Sequence, residues 1–505
     1  MKKNIAALFL LVVGLMCQAQ PVNRNPNVVI ILADDLGWTD LSCYGSTFYE
    51  TPVLDKLAAE GIQFNQAYSA CPVCSPTRAS LMTGKYPVKT GVTDWIRGRQ
   101  DGGKATPYEK LVARATAYQL ALEENTLAEL SSAQGYKTFF AGKWHLGDEE
   151  KFWPDHQGFE INKGGWSYGS PTGKRNDTTG GYFTPYANPR LKDGPPGEYL
   201  TDRLANECID FIDQHREHPF LMMYSLYAVH NPLQAPTALV KKYEEKKMKL
   251  GLRPEDRFAR DEAWMQNENG WRRRLVQDNS VYAAMIENMD SNIGRILEKL
   301  RQTGLLENTL IIFTSDNGGL STSEGSPTVN GPLRAGKGWL YEGGIRVPFI
   351  MYWKGKIRPG SVSELPVCTI DIFPTAGKAI DPHYKADKPI DGKDILGMLQ
   401  DPGKYANREI YWHYPHYSNQ GGKPGSAIRK GEYKLVYYFE DNSAELFNLA
   451  LDTGEKNNIA ASRPALVRKL SNRLKKWWNE TGASFPEPNP SYNPLNKSGS
   501  KGQDE

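Results

Sequence analysis

Apolar residues follow two alternating patterns over residues 27 to about 375. Continuous runs, such as residues 28–33, predict strands that are buried on both faces. Between these runs, apolar residues recur at helical spacing, and the longest such stripe extends over residues 281–300. The alternation predicts an α/β domain with a central, mostly parallel sheet flanked by helices.

The pattern changes from about Arg408 onward. Short apolar runs at residues 427–429 and 434–438 flank the turn residues 430–432, which predicts a hairpin. Residues 464–478 follow the pattern of a terminal helix. We therefore expect a smaller C-terminal α+β subdomain that contains an antiparallel sheet.

The N-terminus has the pattern of a secretory signal peptide. Two lysines precede an apolar stretch over residues 5–16 that is short for a membrane span, and small residues predict cleavage after Ala19. The alternatives are a buried N-terminal helix and lipid attachment at Cys17, which the poor lipobox at residues 14–16 disfavours. We therefore expect a secreted or periplasmic protein without a transmembrane segment.

These patterns divide the chain into four segments. They are a signal peptide (1–19), a main domain that carries the candidate chemistry (20–400), a C-terminal subdomain (401–485) and a tail (486–505). The tail is rich in Pro, Asn, Ser and Gly, a composition that predicts disorder.

Charge and cysteine content narrow the function classes. The 505-residue chain has a formal net charge of +3, and two of these charges belong to Lys2 and Lys3. The nearly neutral remainder argues against nucleic-acid binding. Beyond Cys17 there are five cysteines: Cys43, Cys71, Cys74, Cys208 and Cys368. An odd number in an exported protein indicates one thiol with a special role, and the spacing leaves the pairing of the others open.

Polar side chains stand at the ends of four predicted strands. In chain order they are Asp34 and Asp35, Lys143 and His145, His230, and Asp316 and Asn317. Ligands of open α/β sheets bind beyond the carboxyl ends of the strands, so we expect these groups to meet. Three carboxylates and an amide are hard oxygen ligands that suit Ca²⁺, or Mg²⁺ in a tighter cage. Taken alone, each acidic pair could instead cap a helix or form a turn, and the lysine and histidines could be surface groups.

A glycine-rich loop over residues 331–348 presents Lys337. The loop could bring this cation to the same edge of the sheet, or it could be a flexible connector.

Cys74 begins the motif C-x-P-x-R, which also contains Pro76 and Arg78, at the start of a predicted helix that ends near Gly84. The first N–H groups of a helix are unpaired and favour anions, and Arg78 adds a fork of donors one turn later. The segment therefore suits a tetrahedral oxyanion held against a reactive side chain. The alternatives are a buried apolar cysteine and a thiol–disulfide motif formed by Cys71 and Cys74.

Together these segments resemble the formylglycine-dependent (type I) sulfatases of the alkaline-phosphatase-like superfamily, in particular the secreted bacterial polysaccharide sulfatases. The resemblance extends from Asp34 to about Thr375 and rests on the C-x-P-x-R motif and the order of the strand ends. It implies an alkaline-phosphatase-like fold and a sulfuric ester hydrolase. It also implies that a sulfatase-maturating enzyme oxidises Cys74 to Cα-formylglycine, whose hydrated aldehyde is the nucleophile.

The resemblance also implies a role for each candidate residue. The metal ligands would be modified Cys74 together with Asp34, Asp35, Asp316 and Asn317. The other catalytic residues would be Arg78 and Lys143, which hold the formylglycine, His145 beside it, and His230 and Lys337 at the sulfate and the leaving oxygen. A further serine contact remains open between Ser167 and Ser170.

The expected substrate is a sulfated carbohydrate. Aromatic and cationic side chains suit sugar stacking and anionic glycans, and the candidates are Trp95, Arg97, Arg99, His413 and His416. These residues could equally be ordinary loop packing. The rival functions are a phosphatase or phosphonate hydrolase of the same superfamily and a non-catalytic glycan-binding protein.

Overall fold

The computed structural model describes residues 25–98, 105–171, 180–251, 253–260 and 272–495. The predicted signal peptide, Arg99 and residues 496–505 of the predicted tail lie outside these ranges. Within them, no helix combines the length and the apolar character that crossing a membrane requires.

The described residues form strands and helices in alternation through most of the chain. The strands are β1 (Asn27–Ala33), β2 (Ile62–Phe64), β3 (Ala67–Tyr68), β4 (Leu111–Val112), β5 (Lys137–Gly142), β6 (Ile161–Lys163), β7 (Phe220–Ser225), β8 (Phe258–Arg260), β9 (Arg272–Arg274), β10 (Thr309–Ser315), β11 (Phe349–Tyr352), β12 (Ser361–Ser363), β13 (Val367–Cys368), β14 (Glu409–Tyr414), β15 (Gly425–Lys430), β16 (Tyr433–Tyr438), β17 (Ala444–Asn448) and β18 (Glu487–Pro488). The helices are α1 (Pro52–Glu60), α2 (Cys74–Thr83), α3 (Pro87–Thr90), α4 (Leu127–Ala133), α5 (Leu200–His215), α6 (Thr237–Leu250), α7 (Ser280–Gln302), α8 (Glu342–Ile345), α9 (Ile372–Ile380), α10 (Ile395–Gln400), α11 (Pro402–Tyr405) and α12 (Pro464–Thr481).

The central sheet has eight strands in the order β12-β2-β11-β10-β1-β7-β5-β6. Strand β1 pairs in parallel with β10 and β7, and β5 pairs in parallel with β7 and β6. Strand β11 is antiparallel to both of its neighbours, β10 and β2. The prediction of a mostly parallel sheet is therefore confirmed, with a mixed region on one side.

The register aligns the strand ends that precede the candidate residues. Ala33 is level with Ser315, and Gly142 is level with Ser225. The residues that follow these positions therefore leave the sheet at the same edge, which is where the sequence places the acidic pairs and the Lys143 segment.

Helices cover both faces of the sheet and bury its apolar side chains. The long helix α7 begins with an Asn279 cap, whose side chain accepts the N–H groups of Val281 and Tyr282. Its stripe of Met285, Met289 and other apolar residues is buried against the face that α5 also covers. This core fixes the sheet edge on which the candidate residues stand.

A second, antiparallel sheet in the order β14-β15-β16-β17 forms the C-terminal region, and α12 packs on its central strands. This confirms the predicted antiparallel subdomain sheet.

Part of the predicted tail differs from the expectation, because β18 pairs with β4 and the buried Asn489 side chain donates to the carbonyls of Thr106 and Glu109. These hydrogen bonds bind residues 487–489 to a distant loop and oppose disorder there.

Candidate active site

Cys74 is the first residue of α2, a helix whose residues are all buried. The helix ends at Thr83 and is capped by Gly84, which adopts a left-handed conformation (φ 69°) against the ring of Phe373. Cys74 Sγ lies 3.4 Å from Nδ1 of His145. Burial raises the pKa of the Cys74 thiol, although Lys143 and Lys337 oppose this change. The unmodified side chain is therefore a thiol rather than a thiolate.

His145 is held in one orientation by its surroundings. Its Nε2 lies 2.9 Å from the carbonyl oxygen of Ile96, so this nitrogen carries the proton and Nδ1 presents its lone pair to Cys74. A Cβ atom at Gly169 would lie 2.4 Å from the imidazole ring, so glycine at this position leaves room for the ring. Burial and Lys143 lower the pKa of His145 well below its usual value, which keeps the ring neutral.

Arg78 joins the Cys74 helix to the strand ends. Its Nε donates to Asp316 Oδ2 at 2.8 Å, and one terminal nitrogen lies 2.8 Å from the same oxygen. The other terminal nitrogen donates to the carbonyl of Lys143 at 2.8 Å and to Ser225 Oγ at 2.7 Å. One buried guanidinium thus connects the ends of β10, β5 and β7.

The acidic pairs are buried and engage the two lysines. Lys143 Nζ donates to Asp34 Oδ2 at 2.6 Å, and Lys337 Nζ donates to Asp35 Oδ2 at 2.8 Å. The Asn317 amide donates to Asp35 Oδ1 at 2.8 Å. Burial opposes ionisation of Asp35, but Lys337 and the nearby histidine and lysine lower its pKa below the usual range.

His230 approaches the same Asp35 oxygen that Lys337 contacts. Its Nδ1 donates to the carbonyl of Asn231 at 2.7 Å, and its Nε2 is 3.7 Å from Asp35 Oδ2. Burial and Lys337 lower the pKa of His230 to about 3, although Asp35 acts in the opposite direction. The imidazole is therefore neutral in this arrangement.

The oxygens of this cluster fit a hard cation. Among the described residues, Asp34 Oδ1 and Asn317 Oδ1 are buried without a hydrogen-bond partner, which is costly unless another group binds them. Ligand atoms of Asp34, Asp35 and His230 also lie within 4.8 Å of one another. Burial and the neighbouring Asp316 raise the pKa of Asp34, a repulsion that a bound cation would relieve. Carboxylate and amide oxygens suit calcium better than softer metals.

The described members of the predicted substrate contacts have different surroundings. Arg97 directly follows Ile96 at the edge of the site; its guanidinium lies 2.8 Å from Asp148 and 4.1 Å above the Tyr168 ring. Trp95 packs, partly buried, against the aromatic core of the C-terminal region. Of the two serines left open by the sequence, Ser167 is buried and Ser170 is partly exposed.

His413 and His416 do not suit the expected substrate contact. His413 is 4% exposed, and its ring nitrogens lie 2.6 Å from Ser426 Oγ and 2.7 Å from the carbonyl oxygen of Ser484. His416 is 1% exposed and approaches Thr93 Oγ1 at 2.9 Å. Both imidazoles are part of the internal packing, His413 on β14 and His416 in the segment that follows this strand.

Several groups at the site were not predicted. Ser225 receives a hydrogen bond from Arg78 and donates to the carbonyl of Lys143 at 2.6 Å. Its position as a polar residue at the end of a buried strand was a usable signal. The Ile96 carbonyl and Gly169, which orient His145, could not be found from the sequence. Any residue has a backbone carbonyl, and the close approach of Gly169 to the imidazole ring depends on the fold.

Comparisons with known proteins show which family models and relatives this chain resembles. Residues 26–381 match the family model described as Sulfatase, and residues 335–480 match one described as N-sulphoglucosamine sulphohydrolase, C-terminal. A protein named Sulfatase from Formosa agariphila is 32% identical over 94% of this chain and 94% of its own length. N-acetylgalactosamine-6-sulfatase from Rattus norvegicus is 32% identical over 88% of this chain and 78% of its own length.

A solved structure shares the whole architecture. The crystal structure of Ps i-CgsB in complex with k-i-k-neocarrahexaose superposes with a TM-score of 0.69 at 26% identity, covering 93% of this chain and 95% of the other. Similarity over this length includes both the central sheet and the C-terminal sheet.

None of the five described cysteines forms a disulfide, and the thiol–disulfide alternative for Cys71 and Cys74 has no support.

Proposed function

The chain belongs to the sulfatase family, enzymes that hydrolyse sulfuric esters, and on that premise we propose that it removes sulfate from a sulfated saccharide. We propose further that residue 74 acts after oxidation of Cys74 to formylglycine and that the reaction uses a bound calcium ion. The ion's proposed ligands are residue 74, Asp34, Asp35, Asp316 and Asn317.

One observation carries this proposal: the Cys74 side chain lies 3.4 Å from the His145 nitrogen that holds a lone pair. The other nitrogen of the imidazole is occupied by the Ile96 carbonyl, so the ring can accept a proton on the side of residue 74. Arg78, on the same helix, is paired with Asp316 and brings the proposed nucleophile beside the acidic pairs.

The charges of the site also support a sulfate ester as substrate. Three buried carboxylates face three buried cations at this edge: Asp34, Asp35, Asp316, Arg78, Lys143 and Lys337. A divalent cation held by the carboxylates would make the pocket positive and attract an anionic ester. When bound, such an ion stabilises oxyanions and makes hydroxyl groups more acidic.

The chain's own residues supply the proton transfers near residue 74. The hydrated formylglycine would provide two hydroxyls at this position, whereas a thiol provides none. His145 would accept a proton there, because its Nδ1 faces residue 74 and burial keeps the ring neutral. Arg78 and Lys143 would keep the residue and the sulfate oxygens in place.

Lys337 and His230 would act at the leaving oxygen. Burial opposes the charge of Lys337, but Asp35 raises the pKa of the ammonium group, so the lysine retains a proton to donate. His230 lies beside the same carboxylate. The negative charge of a bound sulfate ester would raise the pKa of His230 and favour its acid form.

The names of similar proteins support a saccharide as the substrate. N-acetylgalactosamine-6-sulfatase is a relative at 32% identity, and the similar Ps i-CgsB was crystallised with a neocarrahexaose. Arg97, between Tyr168 and Asp148, offers a cation at the edge of the pocket for a sugar substituent. Trp95 and Arg99 remain proposed contacts on the strength of their residue type alone.

We propose that a sulfatase-maturating enzyme modifies the chain and that the chain is exported. The C-x-P-x-R motif at Cys74 would be the site recognised by this enzyme. The charged start and the apolar stretch of residues 5–16 support cleavage after Ala19 and a periplasmic or secreted location.

The test compares protein produced with and without a sulfatase-maturating enzyme. We expect turnover of 4-nitrophenyl sulfate and of N-acetylgalactosamine 6-sulfate only in the matured form, with slower hydrolysis of 4-nitrophenyl phosphate. Chelation should abolish turnover and calcium should restore it. Cys74→Ala should reduce turnover by several orders of magnitude. Cys71→Ala is the matched control and should remain active; full activity of the unmatured protein, or faster phosphate hydrolysis, would contradict the proposal.

A further inference from the structure

A buried charge cluster lies between the glycine-rich loop and the C-terminal sheet. Lys434, on β16, has its Nζ 3.0 Å from Glu342 Oε1 and 2.9 Å from Glu455 Oε1, and all three side chains are 0% exposed. Glu455 also accepts the backbone N–H of Glu342 at 2.6 Å, and Tyr68 donates its hydroxyl to Glu342 at 2.9 Å. Arg346 also approaches Glu342, at 3.6 Å. Burying charges in this way is costly, and removing Lys434 leaves two buried carboxylates with this more distant cation beside them.

Glu342 is connected to the Lys337 segment by close backbone contacts. The residue after it, Gly343, donates to the carbonyl of Arg334 at 2.8 Å. A Cβ atom at Gly343 would lie 2.3 Å from the carbonyl oxygens of Arg334 and Ala335, so the two ends of the loop touch without intervening side chains. A displacement of Glu342 therefore moves the segment that presents Lys337.

The same glycines touch the segment that carries Asn317. Gly318, the next residue, donates to the carbonyl of Gly344 at 3.0 Å. A Cβ atom at Gly318 would lie 1.9 Å from the Gly343 carbonyl oxygen. Because protein interiors are closely packed, a shift of one of these backbone segments displaces the segment in contact with it.

We propose that Lys434 is a positioning residue for Lys337: by holding Glu342, the C-terminal sheet sets where the Lys337 ammonium lies. The inference rests on the proposed function, in which Lys337 acts at the leaving oxygen. Strand β16 pairs with strands on both sides, so it is a rigid support for this contact. The C-terminal sheet would thus contribute to catalysis without touching the substrate.

The test uses two sulfate esters that need different help at the leaving oxygen. 4-Nitrophenol is a good leaving group, whereas the hydroxyl of N-acetylgalactosamine must be protonated as it leaves. In matured protein, Lys337→Met should lower kcat/KM much more for the sugar ester than for the aryl ester. Lys434→Met should show the same selective loss, about tenfold or more for the sugar ester and threefold or less for the aryl ester.

A double variant and one control complete the design. Lys337→Met combined with Lys434→Met should be no slower than Lys337→Met alone. Lys434 acts only through the Lys337 ammonium, so its loss has no further effect once that ammonium is absent. Lys476→Met, an exposed lysine of the same region, should behave as the parent. Equal losses on both esters, or additive losses in the double variant, would overturn the inference.

The conservative variant Glu342→Gln decides the case if Lys434→Met does not fold. Glutamine keeps an oxygen that can accept the Tyr68 hydroxyl but removes the charge that Lys434 holds. A selective loss on the sugar ester supports the inference, and unchanged kinetics contradict it. Failure of the parent protein to hydrolyse either ester would instead refute the proposed function.

Discussion

Substitution of Arg78 by lysine tests whether the guanidinium geometry, and not merely its charge, organises the site. Arg78 is 2% exposed and contacts three strand ends through Asp316, the Lys143 carbonyl and Ser225. Lysine retains the positive charge, but one ammonium at the end of a flexible chain cannot reach all three partners.

The magnitude follows from the bonds that are lost. A hydrogen bond to a charged group contributes about 1.5–3 kcal/mol, and a neutral one about 1 kcal/mol. If lysine keeps the contact with Asp316 or the contacts with Lys143 and Ser225, but not both sets, two hydrogen bonds to a charged group are lost, about 3–6 kcal/mol. Where these contacts position Asp316 for reaction, the lower end of this loss corresponds to roughly 150-fold in kcat/KM.

The assay measures kcat/KM for 4-nitrophenyl sulfate in fully matured Arg78→Lys, with the modification of residue 74 verified by mass spectrometry. Arg114→Lys is the matched control, since Arg114 pairs with Glu487 at the surface with 60% of each side chain exposed. The control should change stability by less than about 0.5 kcal/mol and leave activity intact. A folded, matured Arg78→Lys enzyme within threefold of the parent would refute the argument.

Two further predictions follow from packing and ionisation. Gly169→Ala places a Cβ 2.4 Å from the His145 ring and should lower kcat at least about tenfold, whereas Gly403→Ala, with nothing within 4 Å, should be neutral; equal kinetics would contradict the fit. Burial lowers the pKa of His413 to about 4, below the usual value of about 6.5, so the unfolded state binds more protons between these pH values and stability should fall as pH drops through this window. His413→Gln should flatten the pH dependence of the free energy of unfolding between pH 4 and 6.5 by up to about 1.4 kcal/mol per pH unit relative to the exposed control His383→Gln. An unchanged slope would contradict the burial argument.

The sequence predicts the sheet and its functional edge because both depend on local patterns. Asp34 and Asp316 follow buried apolar runs, and parallel strands in register must present such residues at one edge. A run of apolar residues predicts a buried strand but not its direction, so the antiparallel β11 was not predicted. Long-range pairs such as β4 with β18 are likewise invisible to composition, which predicted disorder for residues 487–488.

The prediction of His413 as a substrate contact was wrong because it, too, depends on strand pairing. His413 stands in a stretch rich in aromatic and histidine residues, which suggested sugar binding. Its cross-strand partner is Ser426, and this register turns the imidazole into the packed interior of the subdomain. Side-chain identity indicates the chemistry that is available, but the pairing of strands decides which side chains a substrate can reach.

The most direct test of the account is the mass of the peptide that contains residue 74, taken from protein whose sulfatase activity has been measured on the same sample. We predict that active protein has lost the Cys74 sulfur and gained an aldehyde, in proportion to its activity. A fully active preparation in which this peptide carries an intact thiol would contradict the central claim.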